Sequence, residues 1–285
     1  MIPTITLGKT DEKVPVLGQG TWKMGLDPAI RDQEIAALRT GIEHGMTLID
    51  TAEVYSEGES ERIVGEVIQD CRDDIFLVTK VWPTNGTYDG VRRAAEGSLK
   101  RLRTDRIDLY LLHWPSADHP VAETMRGMRA LVEEGIIRYV GVSNFSAELM
   151  QEAIDALGDI PLAVNQVVYH MKNRVIEHSV KPFCDKNRVT IMAYSPFGAG
   201  SFPEPGSPGR RVLDEIGAKY GKTAYQVVLN WLVAQGNVIA IPKAANPKHA
   251  AENAKAMDFR LTEEEIARID EAFPLPENDF VVRRH

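Results

Sequence analysis

Eight times along the chain a short apolar run of strand character gives way to a loop. The runs end near Gly18, Asp50, Lys80, His113, Ser143, Gln166, Tyr194 and Ile241. Most are separated by roughly the 30 residues of one strand–helix–strand unit. The segments between them have helical spacing. Asp32 to His44 sets Ile35, Leu38 and Ile42 on one face, with Gly45 as a stop. Ser60 to Ile68, Val91 to Leu102, Ala122 to Glu134 and Ala147 to Leu157 continue the alternation, and Gly135 closes the fourth helix. Strands alternating with helices predict a parallel sheet covered by helices, and eight strands suffice to close a barrel. The expected fold is therefore α/β, a (β/α)8 TIM barrel forming a single domain over residues 1–285. Two segments fall outside the repeat. Thr4 to Val16 reads as an N-terminal β-hairpin around Gly8 to Lys13, and Thr262 to Ala272 as an extra C-terminal helix.

In such a barrel the strand ends converge on one rim, where loops build the active site. Asp50, Lys80 and His113 each end a run, and Tyr55 lies just beyond Asp50. Four polar groups distant in sequence are thus expected in one pocket, suited to proton transfer on a small molecule. The net charge of −8 argues against a nucleic-acid scaffold, which needs a basic surface, but leaves room for a local site for one phosphorylated cofactor. Cys71 and Cys184 form neither a C-x-x-C pair nor a disulfide framework, and the scattered histidines contain no H-E-x-x-H. No charged, apolar leader opens the chain and no apolar run reaches membrane-spanning length, so no membrane partner is expected and the cytoplasm is the expected location.

Seven segments in order carry a specific resemblance. They are Ile49-Asp50-Thr51-Ala52 with Tyr55, Thr79-Lys80-Val81-Trp82, Asp108 to Pro115 (DLYLLHWP), Gly141-Val142-Ser143-Asn144, Asn165-Gln166, Ala193-Tyr194-Ser195-Pro196 and Ile241-Pro242-Lys243. Together they resemble the aldo-keto reductase superfamily, in particular its small bacterial aldehyde and methylglyoxal reductase-like members. The resemblance runs from the hairpin to about Asn253. It implies NADPH as cofactor, a small carbonyl compound as substrate, reduction of that carbonyl to an alcohol, and a monomer.

The residue types suit that chemistry. Hydride addition to a carbonyl leaves an alkoxide that needs a proton, which Tyr55 can supply. A free phenol has a pKa near 10. A Lys80 ammonium about 4 Å away would favour the phenolate by up to ~4 kcal/mol at an effective dielectric of about 20, bringing Tyr55 toward neutral pH. Asp50 can hold Lys80 charged and oriented. His113, as a neutral donor, can align the substrate oxygen.

By resemblance, Ser143, Asn144 and Gln166 meet the nicotinamide carboxamide, Tyr194 stacks on its ring, and Ser195 meets the pyrophosphate. A Gly/Pro-rich stretch, Gly198 to Gly209, would fold over it. Lys243 would face the adenosine 2′-phosphate, with His249, Glu252 and Asn253 nearby. Many relatives place a Ser after this Lys and an Arg five positions further on. Here Ala244 and His249 stand there instead, so NADH is expected as a poorer but usable cofactor. Trp22, Trp82 and Trp114 are placed around the carbonyl, with Tyr88 and Phe197 as further aromatic candidates. The short tail, Pro274 to His285, implies an open pocket. Other readings remain at this point. Ser143 and Asn144 could cap the following helix, Lys80 could be a Schiff-base nucleophile of an aldolase, and the barrel could be a non-catalytic cofactor-sensing subunit.

Overall fold

The computed structural model describes residues 2–285. Its first elements are β1 (Thr4–Thr6) and β2 (Lys13–Pro15), an antiparallel hairpin with Thr4 opposite Pro15. Then come β3 (Gln19–Gly20), β4 (Leu48–Asp50), β5 (Phe76–Val81), β6 (Ile107–Leu112), β7 (Ile137–Ser143), β8 (Leu162–Val168), β9 (Thr190–Tyr194) and β10 (Val238–Ala240), hydrogen-bonded in that order in one parallel sheet. Backbone bonds across the last seam close the ring. Gly18 N–H donates to the Ala240 carbonyl at 2.9 Å, Ala240 N–H to Val16 at 3.0 Å and Gly20 N–H to Pro242 at 3.0 Å. Gly20 is required there, because a Cβ would lie 2.8 Å from the Ile241 carbonyl oxygen.

The hairpin plugs the end of the barrel where the strands begin. Its Leu7 and Val14 join the barrel-interior residues Leu48, Phe76, Val78, Leu109, Leu111, Val164, Met192, Ile239 and Ile241, all buried. Gly8 N–H anchors it to Thr190 Oγ1 at 2.9 Å. The alternate residues of the same strands face outward into a second apolar layer. Ile49 and Leu77 pack with Ile35 and Leu38 of α1 (Arg31–Glu43) and with Ile63, Val64 and Val67 of α2 (Glu59–Val67).

The remaining covering helices are α3 (Tyr88–Leu102), α4 (Val121–Glu133), α5 (Ala147–Leu157) and α6 (Val180–Asn187). The first of these starts three residues before the apolar pattern does, because Thr87 Oγ1 accepts from Gly90 N–H at 3.0 Å and caps it there.

One expectation needs correction. The interval from Tyr194 to Ile241 holds two helices, α7 (Pro208–Tyr220) and α8 (Ala224–Ala234). Then follow α9 (Pro247–Ala254) and α10 (Glu263–Ala272), the latter opened by a capping box between Thr262 and Glu265. The α7 helix packs on α10, so two helices and not one stand outside the repeat. Pro208 belongs to both patterns. It lies within a Gly/Pro-rich run, yet it is also a favoured first helical residue after the Ser207 cap.

Candidate active site

Period-two alternation aims the polar strand ends inward. Leu48, Val78, Leu111, Val164, Met192 and Ile241 all face the barrel interior. Two residues later on each strand path come Asp50, Lys80, His113, Gln166, Tyr194 and Lys243, which repeat the inward direction one layer higher. The barrel core therefore ends in a polar layer at the rim where the strands end. Above it opens a cavity of about 550 Å³, within the usual range for ligand sites.

Lys80 is fully buried and its ammonium is fully engaged. It lies 2.8 and 2.9 Å from the two Asp50 carboxylate oxygens, donates to the Thr51 carbonyl at 2.7 Å and reaches Tyr55 Oη at 3.3 Å. The Tyr55 and His113 rings meet edge-on with centroids 5.6 Å apart. All four expected groups are thus brought together. With its donors committed and no solvent exposure, Lys80 is poorly placed as a Schiff-base nucleophile.

The electrostatics correct the simple two-charge argument. Burial, and then the Asp50 charge, raise the Tyr55 phenol well above its ordinary value of 10.0. The Lys80 ammonium, 3.3 Å from Tyr55 Oη but paired with Asp50 at contact distance, does not outweigh them. Burial also raises the Asp50 carboxyl and lowers the Lys80 ammonium, each opposed by its partner. Tyr55 accordingly stays a neutral O–H at physiological pH, the state an acid must hold before it donates. Burial, then Lys80 and then His285, holds His113 well below 6.5, so its imidazole is neutral. Its Nδ1 is buried with no hydrogen-bond partner among the described residues.

On the facing strands Gln166 Nε2 donates to Asp50 Oδ1 at 2.7 Å, tying β8 to β4 across the barrel. Ser143 Oγ donates to the Gln166 carbonyl at 2.8 Å, Asn144 Nδ2 to the His113 carbonyl at 3.2 Å, and Tyr194 Oη to Asn144 Oδ1 at 3.0 Å. Neither Ser143 nor Asn144 caps α5; Ser146 does, accepting from Leu149 N–H at 3.3 Å. Among the described residues, four of the nine non-glycine residues with positive φ, namely Lys23, Ser56, Asn144 and Ser195, line this cavity. Backbone strain concentrated there is characteristic of a working site.

Trp22, Trp82, Trp114, Ser195 and Lys243 also line it, whereas Tyr88, Phe197, His249, Glu252 and Asn253 do not. The last three are on α9, beyond the cavity edge, with Asn253 buried. The Gly/Pro-rich stretch does not cover the cavity either. Phe202 stacks on Tyr225 of α8 at 4.1 Å and Lys172 Nζ donates to the Ser201 carbonyl at 2.9 Å, which hold it to the side.

Sequence reasoning missed Lys23, Leu26, Val54, Ser56 and His285. The tail returns to the mouth of the site. His285 N–H donates to the Pro115 carbonyl at 3.0 Å, and its ring sits 4.9 Å from Trp114 and 5.6 Å from Trp82. The expected open pocket is therefore walled on that side. Bonds to a loop about 170 residues away in sequence bring His285 there, with Ala117 N–H donating to the His285 carbonyl at 2.9 Å and Arg284 to the Ser116 carbonyl at 3.1 Å, and no local pattern signals it.

The lining fits a nicotinamide dinucleotide. Amide and hydroxyl groups of Ser143, Asn144 and Gln166 neighbour the aromatic face of Tyr194, and the ammonium groups of Lys23 and Lys243 stand at the β3–β10 seam, across the ring from His113 on the β6 side. That is a donor–acceptor edge, a stacking surface and an anion-binding end in one cavity.

A fold and a rim of this kind define a family of barrel oxidoreductases, and sequence comparison agrees. Residues 16–273 match the Aldo/keto reductase family. The chain is 43% identical over 266 residues to methylglyoxal reductase YeaE of Escherichia coli, covering 93% of each. It is 37% identical to 9,11-endoperoxide prostaglandin H2 reductase of Trypanosoma cruzi, over 91% of this chain and 88% of that one. A crystal structure of an aldo/keto reductase from Klebsiella pneumoniae in complex with NADP and acetate superposes with a TM-score of 0.90 at 41% identity, covering 100% of both chains. The chain belongs to the Aldo/keto reductase family. It is an NADP-dependent oxidoreductase that reduces carbonyl compounds.

Proposed function

We propose that this enzyme reduces small aldehydes and α-dicarbonyls, methylglyoxal among them, at the Tyr55 end of the cavity. The observation that carries this reading is the contact chain Asp50–Lys80–Tyr55 with neutral His113 beside it. NADPH, when bound, supplies the hydride. Tyr55 gives its proton to the oxygen that becomes the alcohol. The transfer is favourable even from a phenol of raised pKa, since an alkoxide is a far stronger base than a phenolate. Lys80 donates toward Tyr55 Oη and stabilises the phenolate as it forms, and Asp50 keeps Lys80 charged. His113 aligns the substrate oxygen with Tyr55. Ser143, Asn144, Gln166, Tyr194 and Ser195 hold the nicotinamide half, and Lys243 the 2′-phosphate. Because His249, Glu252 and Asn253 stand off the cavity, their part in binding the adenosine would require approach of α9.

Trp22, Trp82, Trp114 and His285 make an aromatic mouth that suits compact, weakly polar carbonyls. The exposed large apolar side chains among the described residues are Trp22, Leu26 and Val54 of this mouth and, away from it, Tyr88, Tyr225, Leu275 and Val281, each from a different part of the sequence apart from the last two. That distribution favours a monomer. The free thiols Cys71 and Cys184 favour a reducing compartment such as the cytoplasm. Among the described residues no helix is long and apolar enough to cross a membrane.

The test is loss of NADPH absorbance with a panel of aldehydes, dicarbonyls and ketones, beside Tyr55→Phe. Turnover of methylglyoxal and small aldehydes that depends on Tyr55 is expected. Turnover by Tyr55→Phe equal to the parent would sink the assigned acid; NADPH binding without turnover of any carbonyl would favour the cofactor-sensing alternative.

A further inference from the structure

Lys23 and Lys243 are the cationic side chains among the cavity-lining residues. Behind Lys243 stands Glu34 of α1, a carboxylate with 1% of its side chain exposed. Its Oε2 accepts from Gly25 N–H at 2.8 Å. Its Oε1 has no hydrogen-bond partner among the described residues and lies 3.8 Å from Lys243 Nζ. That separation is too long for a hydrogen bond yet short for a Coulomb contact, and the buried Glu34 carboxylate limits its screening by water, although the Lys243 side chain is 32% exposed. The pair therefore exerts charge without fixing geometry.

We propose that Glu34 sets the cofactor margin of this enzyme, its buried carboxylate offsetting the Lys243 ammonium and narrowing the preference for NADPH over NADH. The proposal rests on Lys243 meeting the 2′-phosphate. A phosphate arriving at Lys243 meets a fixed negative charge directly behind the ammonium. NADH lacks that phosphate and is indifferent to it. Ala244 and His249 supply neither hydroxyl nor guanidinium, so Lys243 carries most of the phosphate recognition and the offset matters more. The Lys243 ammonium is itself in tension, held below its ordinary range by burial, drawn up by Glu34 and pushed down by Lys23.

Dissociation constants for NADPH and for NADH, read from quenching of the cavity tryptophans, test this without turnover. Glu34→Gln keeps the shape and the acceptor for Gly25 N–H while removing the charge. It is expected to tighten NADPH by about fivefold and to move NADH by less than about twofold. Glu34→Asp, which draws the carboxylate away from Lys243, is expected between the two and carries the test if Glu34→Gln does not fold. Lys243→Met is expected to collapse the NADPH-to-NADH ratio. If the Glu34 variants weaken both cofactors alike, Glu34 only holds the Gly25 turn and the proposal fails. An unchanged ratio in the Glu34 variants beside a collapsed one in Lys243→Met also overturns it, while sparing the role of Lys243. An unchanged ratio in Lys243→Met overturns both.

Discussion

Two buried aspartates sit at opposite ends of the barrel, and their surroundings differ in kind. Asp108, at the start of β6, accepts from Arg72 and Leu77 N–H on one oxygen and from Arg138 on the other, each at 2.9 Å. Arg72 goes on to bind the Ile75 and Arg106 carbonyls, and Arg138 to pair with Glu12 of the hairpin. Its three donors come from Arg72, Leu77 and Arg138, outside β6, and both arginines keep contact with water. Asp50, at the end of β4, has a fully buried lysine whose remaining donor reaches a phenol at the floor of the cavity. One cluster is closed, with its charges spent on joining strands. The other is left one partner short of closure, and that opening is where a substrate oxygen can enter. In the proposed mechanism, similar ion pairs thus serve stability at the end where the strands begin and chemistry at the end where they finish.

This contrast can be broken most severely at Tyr55. Tyr55→Phe should lower kcat/KM for aldehydes about a thousandfold while NADPH still quenches tryptophan fluorescence normally. Asp108→Ala should do the reverse. Losing the acceptor of two arginines and a buried N–H should cost about 3 kcal/mol in chemical denaturation, with kcat/KM of the folded enzyme within about twofold of the parent. A large loss of turnover in that variant would show that the two ends are coupled. At the mouth, His285→Ala removes ring contacts with Trp82 and Trp114 and should raise KM for small aldehydes about threefold at nearly constant kcat.

The pH profile sharpens the comparison with the least disturbance. In the proposed mechanism, reduction needs Tyr55 as O–H and His113 neutral. The phenol is raised above 10.0 and the imidazole is lowered below 6.5. Protonated Tyr55 and neutral His113 therefore coexist between those limits, and kcat/KM for reduction should show no step from either across that window. Alcohol oxidation, which needs the phenolate, should instead rise with pH throughout it. A reduction limb falling with a midpoint near 8 would mean that Lys80 outweighs Asp50 and burial at the phenol.

Much of this was legible in the chain because its rules are local. Helical spacing and strand-like runs at regular intervals announced the barrel, and residues at strand ends had to gather on one rim. Asp50, Tyr55, Lys80 and His113 were therefore readable before any coordinates, as was the inward set Gln166, Tyr194 and Lys243. The α7 helix was obscured because its first residues, Pro208 and Gly209, also belong to a loop-like run. Other features depended on which distant groups finally touch. Whether Lys80 acidifies Tyr55 turns on Asp50 lying close enough to cancel its charge and on how much water burial removes. The Glu34–Lys243 pair joins α1 to the far side of the last barrel seam, and His285 meets Trp82 and Trp114 only after the tail crosses the rim. Sequence periodicity determines which way a side chain points; the net field at a buried atom depends on distances and desolvation, which exist only once the barrel has closed.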